Sequence, residues 1–350
     1  MSGGPGCSQD ISSHPATRRA FLASTTGIVG SVAGCFVRGE ESAYEGEIRV
    51  NGSNTVLPHS AALSEEFMWR NNRVQIPVRG SGTGAGFERF CRGETDIQNA
   101  SRQISDSEID LCEQNDISFL ELTVALDGIA LWVNTENDWA ECLTVEEIHQ
   151  IWRSGSTVET WQDIRPEWPN EEITLYGRDP ASGTFDSFTA AVNNEVGNIR
   201  SDYSASADTN VIVRGVRGSR YALGFGGAGY YYENQDDLKL LAVDDDASCI
   251  YPRRETIETG EYTPLTREMY LYINADALRR PEVGAFAGFY FTQIESDTHE
   301  QAVLQNIAEP GESLTWTQWG ARKVGFYGIS ESTVGIGREK LTAALNEGET

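Results

Sequence analysis

The 350-residue chain carries 53 Asp and Glu against 27 Lys and Arg, a formal net charge of −26 at pH 7, and Lys239, Lys323 and Lys340 are its only lysines. That balance excludes a nucleic-acid-binding role, because phosphate backbones demand a basic face, and acidic excess with almost no lysine is the composition of a protein from a high-salt habitat. At this length the chain can build two core-bearing domains.

The first 35 residues read as a targeting segment rather than as fold. Thr17-Arg18-Arg19-Ala20-Phe21-Leu22 has the form of a twin-arginine export signal. The apolar run 20–33 is too short for a permanent membrane helix. It ends in Val32-Ala33-Gly34-Cys35, a lipobox-like stretch in which Cys35 becomes the lipidated first residue of the mature protein. An uncleaved signal anchor is the rival reading, and both place the domain outside the cell membrane. Residues 36–46 form a short acidic tether.

From there strands and helices alternate. The pattern predicts strand 47–51, helix 57–70, strand 74–78, helix 84–92, strand 95–99, helix 105–114 and strand 118–126. Asp127-Gly128 reads as a break, followed by strand 128–134, helix 144–152, strand 172–177, helices 183–194 and 208–217, and strands 221–226 and 238–243. A polar, turn-rich stretch, 244–263, precedes a long strand at 265–273 and helices at 281–296, 299–307 and 337–346. Trp316 and Trp319 are expected in core or edge packing. Such alternation implies α/β architecture with parallel sheets covered on both faces. The break at Asp127 and the return near Pro264 suggest two doubly wound domains joined by a hinge, 47–127 plus 264–350 and 128–263, with a ligand cleft between them.

Removing Cys7 with the signal and Cys35 by lipidation leaves Cys91, Cys112, Cys142 and Cys249, enough for two disulfides in an oxidising compartment. Cys91 and Cys112 fall on neighbouring predicted helices and are expected to pair; Cys142–Cys249 follows if all four are bonded, with buried free thiols as the alternative. Their spacing does not fit zinc, His14 lies in the signal, and His59, His149 and His299 are isolated and expected on helix surfaces, so neither metal nor cofactor is expected.

Three strand-to-helix junctions carry the chemistry. Ile48–Pro58 (IRVNGSNTVLP) places Gly52, Ser53 and Thr55 before a helix; Val74–Phe87 (VQIPVRGSGTGAGF) does so with Ser81, Gly82, Thr83 and Gly84; Tyr176–Phe185 (YGRDPASGTF) adds Arg178 to Ser182, Gly183 and Thr184. Each serves equally as a helix cap, but three together direct N–H groups and dipole ends at one point and would hold a small tetrahedral anion.

In order and spacing, NGSNTVLP (51–58), RGSGTGAGF (79–87), DIQNASRQIS (96–105) and GRDPASGTF (177–185) resemble the phosphate-binding lipoproteins of phosphate ABC transporters, of the halophilic archaeal type. Supporting stretches are ALDGIALWVN (125–134), LTVEEIHQIW (143–152), GFGGAGYYYEN (224–234) and YTPLTREMYLYI (262–273). The resemblance covers nearly all of the mature chain. It implies the type II periplasmic-binding-protein fold and an extracytoplasmic, lipid-anchored monomer that passes inorganic phosphate to a membrane permease. It also implies a ligand set of Ser53, Thr55, Val56, Ser81, Arg178, Ser182, Gly183 and Thr184, with Gly82 and Thr83 in the second loop. Where well-known members place an aspartate that accepts the proton of hydrogen phosphate, this chain has Arg102, which adds a donor and removes the acceptor. Asp127 is the favoured replacement, with Asp179 as alternative; Asp127 can equally serve by pairing an arginine at the hinge.

Sulfate, arsenate, molybdate or tungstate are alternative ligands, because all use helix N-termini. An enzyme, such as a phosphatase or a nucleotide-binding protein, is a lesser alternative. Gly80-x-Gly82-x-x-Ala85 fits a dinucleotide fingerprint only loosely, no lysine follows a glycine loop, and no Ser-His-acid cluster is visible. A surface adhesin with a degenerate cleft is disfavoured by the intact loops.

Overall fold

The computed structural model describes residues 43–180, 182–244, 248–263, 265–295, 303–305 and 307–347. The export signal, Cys35, most of the tether, Pro264 and His299 lie outside the described residues. In chain order the elements are β1 (Glu45–Glu47), β2 (Val50–Gly52), α1 (Leu57–Arg70), β3 (Arg73–Gln75), α2 (Thr83–Phe90), β4 (Ile97–Ala100), α3 (Asp106–Gln114) and β5 (Phe119–Asn134). Next come β6 (Cys142–Thr144), α4 (Val145–Trp152), β7 (Thr174–Arg178), α5 (Gly183–Asn193), β8 (Ser204–Ser206), α6 (Thr209–Arg217), β9 (Ala222–Gly227), α7 (Gly229–Glu233) and β10 (Leu238–Leu240). The chain closes with β11 (Ala242–Asp244), β12 (Cys249–Ile250), α8 (Arg254–Glu258), β13 (Thr266–Asn274), α9 (Ala275–Leu278) and α10 (Pro281–Phe291). Two helices end it, α11 (Trp316–Lys323) and α12 (Glu331–Glu347).

Local sequence explains several boundaries. Pro58 occupies the first turn of α1, where a missing N–H costs nothing. Reciprocal Ser/Thr-x-x-Glu/Gln caps start α3 at Ser105/Glu108, α4 at Thr144/Glu147 and α11 at Thr315/Gln318, each satisfying two orphan donors.

The principal sheet has the order β2-β4-β13-β5-β9-β7-β8, with β10 also on β5. Its arms are parallel, as expected, in the pairs β2–β4, β7–β8 and β7–β9. Its centre is antiparallel, in β13–β4, β13–β5 and β5–β9. Asp127-Gly128 does not break the chain. β5 runs through it as one 16-residue strand. Only the partner changes there: Phe119–Gly128 pairs with β13, and Ile129–Val133 with β9. The predicted strand 238–243 is split, because β10 joins β5 whereas β11 joins β6.

β5 also feeds two apolar cores. Leu122, Val124 and Ala125 pack with Leu63, Phe67, Trp316 and Trp319, while Ile129–Val133 pack with Trp152, Trp161, Phe188 and Phe225. A smaller cluster of Phe87, Phe90 and Tyr272 surrounds the Cys91–Cys112 disulfide, and Cys142–Cys249 ties β6 to β12. Both expected pairings are therefore formed. The histidines depart from expectation: His59 is fully buried with Nε2 3.0 Å from the Thr317 carbonyl, and His149 is half-buried against Val192 and Asn193.

Candidate functional site

A cavity of about 580 Å³ opens where the starts of α1, α5 and α6 meet the middle of β5. Asn54, Thr55 and Pro58 form one wall; Arg178, Ser182, Gly183, Thr184 and Thr209 form the opposite wall, and Asp127 lies between them. The two helix-start loops nearly touch. A Cβ on Gly183 would stand 2.1 Å from Thr55 Oγ1, so glycine is required here for close approach.

Arg178 leaves the end of β7 and is fixed by three neutral acceptors. Its Nε donates to Ser182 Oγ (2.9 Å), and its Nη1 donates to the Ala207 carbonyl (2.6 Å) and to Thr209 Oγ1 (2.5 Å). Among the described residues no carboxylate pairs with it. A guanidinium oriented by hydroxyls and a carbonyl keeps its charge for an incoming anion. Ser182 Oγ also accepts from Thr184 N (3.2 Å), capping α5 and holding its positive dipole end at the cavity.

Asp127, 4% exposed, is ion-paired with Arg267. Arg267 Nε (3.2 Å) and Nη2 (2.8 Å) both donate to Oδ2, and no described residue donates to Oδ1. Arg267 Nη1 continues to the Gly183 carbonyl (2.7 Å) and to Ser187 Oγ.

Two expected groups stand elsewhere. In the second loop the Ser81 and Gly82 N–H groups both donate to the Gly52 carbonyl, 2.9 Å each, so they serve β2 rather than a ligand. Thr83 Oγ1 bonds Ser101, and Ser81 Oγ is buried without a partner. This loop abuts the first, since a Cβ on Gly80 would meet Asn54 Oδ1 at 2.0 Å, but it does not line the cavity. Arg102 is likewise diverted: its Nη1 and Nη2 clamp Glu108 at 2.8 and 2.7 Å, and it borders a neighbouring groove instead. Hydrogen bonding to Glu108 raises the Arg102 guanidinium further; burial would raise Glu108, but the Arg102 and Ser105 donors outweigh it and hold that carboxyl below its usual range. Ser53 is buried behind the wall, its Oγ accepting from Thr55 N (3.2 Å), and Val56 is buried as the cap residue of α1. Asp179 accepts the Ser182 N–H through its carbonyl (3.0 Å) and does not line the cavity.

Thr209, Arg267 and the α11 end with Arg322 and Lys323 were not among the sequence candidates. Ser204–Asn210 repeats the strand–small residue–helix pattern of the other junctions and signals Thr209. An arginine inside the apolar stretch YTPLTREMYLYI signals Arg267. Arg322 already pairs with Glu258 and Glu312, which neutralise it.

A continuous mixed sheet, two cores sharing one strand and helix starts facing across a polar cavity define a solute-binding protein of the type II periplasmic-binding-protein fold. The model of the PBP superfamily domain matches residues 37–293, and the chain belongs to that superfamily. Among its relatives, protein SphX of Synechocystis is 42% identical over 246 residues, 69% of this chain and 73% of SphX. The phosphate-binding protein PstS of Staphylococcus saprophyticus is 39% identical over 236 residues, 67% of this chain and 72% of PstS. The crystal structure of a possible phosphate-binding protein from Planctomyces limnophilus superposes with a TM-score of 0.69 at 38% identity, covering 87% of this chain and all of that one.

Proposed function

We propose that this protein captures inorganic phosphate in the cavity between α1 and α5 and delivers it to the permease of an ABC transporter. The observation that carries the reading is Arg178, held by neutral acceptors in a cavity that Thr55, Ser182, Gly183 and Thr184 also line, with the start of α5 at its wall. Relatives named as phosphate-binding proteins support the ligand. Capture needs equilibrium donors and a closing cleft, with no bond broken, so we read the protein as a binder rather than an enzyme. Thr55 and Gly183 nearly touch and Arg267 bonds Gly183 from one lobe to the other, so uptake and release need these walls to part. The two lobes we assign, 47–127 plus 264–350 and 128–263, would move about β5.

Asp127 favours phosphate over sulfate. Asp127 lines the cavity and its Oδ1 takes no bond from Arg267, which leaves it an acceptor suited to the P–OH of hydrogen phosphate, whereas sulfate offers no proton at neutral pH. Arsenate shares that proton and remains the nearest competitor. The lipid anchor at Cys35, twin-arginine export, the high-salt habitat and a monomeric state are part of the same proposal, supported by the sequence motifs and composition.

Calorimetry in high salt tests it. Wild-type protein is expected to bind phosphate at micromolar or tighter affinity and sulfate much more weakly. Arg178→Ala is expected to lose about 10- to 150-fold, since a charged hydrogen-bond donor contributes about 1.5–3 kcal/mol. A folded Arg178→Ala protein with wild-type affinity would falsify the site.

A further inference from the structure

We propose that Arg267, on β13, is the positioning residue that makes the anion site selective. The inference rests on the phosphate reading above and concerns how one guanidinium builds two of its walls. Arg267 is largely buried, with its side chain 13% exposed, and its donors divide into two sets. Nε and Nη2 take the same oxygen of Asp127, Oδ2, at 3.2 and 2.8 Å. That fixes the carboxylate rotamer, because a twist about its terminal torsion would break two bonds at once. Oδ1 is thereby left without a donor among the described residues, on a residue that lines the cavity.

The second set reaches the opposite wall. Nη1 donates to the Gly183 carbonyl at 2.7 Å and to Ser187 Oγ, one turn further along α5. The Gly183 carbonyl belongs to the same peptide unit as the Thr184 N–H, which closes the Ser182 cap. Holding the carbonyl therefore sets the plane of that peptide at the start of α5. Nη2 also stands 3.4 Å from where a Gly183 Cβ would lie, beside Thr55 Oγ1. Arg267 thus fixes where the unbonded oxygen of Asp127 stands and how far the α5 loop stands from it. Lysine cannot do this, because a single ammonium lacks the planar fork that spans Asp127 and Gly183 together.

The test compares phosphate and sulfate affinities, by calorimetry at pH 7 in high salt, for wild type, Arg267→Lys, Arg267→Met, Asp127→Asn and Asp127→Asn/Arg267→Met. Circular dichroism establishes that each is folded. Arg267→Lys keeps the charge in case the methionine variant fails to fold. The expected result is a fall of at least 30-fold in the phosphate-to-sulfate affinity ratio in both Arg267 variants. Asp127→Asn should show a similar fall and the double variant little more, since the two residues act as one unit. Millimolar methylguanidinium should restore part of the ratio to Arg267→Met. A merely structural role would weaken both anions alike and leave the ratio and the rescue unmoved; a wild-type ratio in folded Arg267→Lys or Arg267→Met overturns the proposal. Wild-type protein that fails to prefer phosphate would instead overturn the phosphate reading, and this role with it.

Discussion

At the scale of single residues, Gly183 is where sequence and site are tied most tightly. It is the first residue of α5, so alanine is no burden to the helix and would normally improve it. The added Cβ, however, falls 2.1 Å from Thr55 Oγ1 and 3.4 Å from Arg267 Nη2. Thr55 is β-branched and stiff at χ1, so it cannot swing aside freely. Gly183→Ala is therefore expected to lower the melting temperature, because the clash outweighs the gain in helix propensity, and to weaken phosphate binding at least 10-fold. Thermal denaturation and calorimetry on the same preparation check this, and equal affinity would show that the two loops need not meet. The importance of this glycine was legible from the Ser-Gly-Thr junction. Its partner was not, because Thr55 lies on another junction and only the fold brings the two together.

At the scale of elements, α1 shows both what local sequence dictates and what it hides. Its bounds, Leu57–Arg70, match the predicted 57–70 because Pro58 and the spacing of its apolar residues are local signals. The fate of its histidine is not local. Leu63 and His59 pack on α11 at Gly320, where a Cβ would stand 2.1 Å from a Leu63 methyl carbon. Burial then pushes His59 down to about 4, although its bond to the Thr317 carbonyl opposes this, and Nδ1 is left buried without a partner. The unfolded chain titrates near 6.5 and so binds the proton more readily; stability must fall as pH drops from about 6.5 towards 4. At pH 4.5 the loss is about 2.5 kcal/mol relative to pH 7. Urea denaturation of wild type and His59→Gln at both pH values should show a fall about 2.5 kcal/mol larger in wild type than in the variant. Asp96 does not confound the window: burial would raise it, but Arg49 and Arg280 hold it below its usual range, so its contribution is lost only at lower pH. The same contrast of local and distant signals explains β5 and Arg102. Asp127-Gly128 has the composition of a turn, yet the strand continues because Arg267, 140 residues away in sequence, satisfies the carboxylate. Arg102 does not line the cavity because Glu108, in the α3 cap Ser105-x-x-Glu108, takes its guanidinium.

At the scale of the whole molecule, a net charge of −26 surrounds a site proposed to take an anion. The two features are reconciled by range. At 0.01 M salt the Debye length is about 30 Å, so the ligand feels the summed carboxylates of the whole surface before it reaches Arg178; at 1 M it is about 3 Å, and only the groups it touches matter. Repulsion of like charges slows encounter, and salt removes it, the reverse of the usual electrostatically steered association. The association rate of phosphate, followed by stopped-flow with a fluorophore near the cavity mouth, is therefore expected to rise as KCl increases from 0.01 to 1 M. Its dissociation rate should change much less, because the contacts that hold the bound anion are short. Arg178→Ala should show the opposite division, with dissociation accelerated and the salt slope of association largely preserved. An association rate that falls with salt would mean that the positive groups at the cavity mouth dominate the far field despite the charge of the chain, and the acidic surface would then need a role other than one tolerated by virtue of screening.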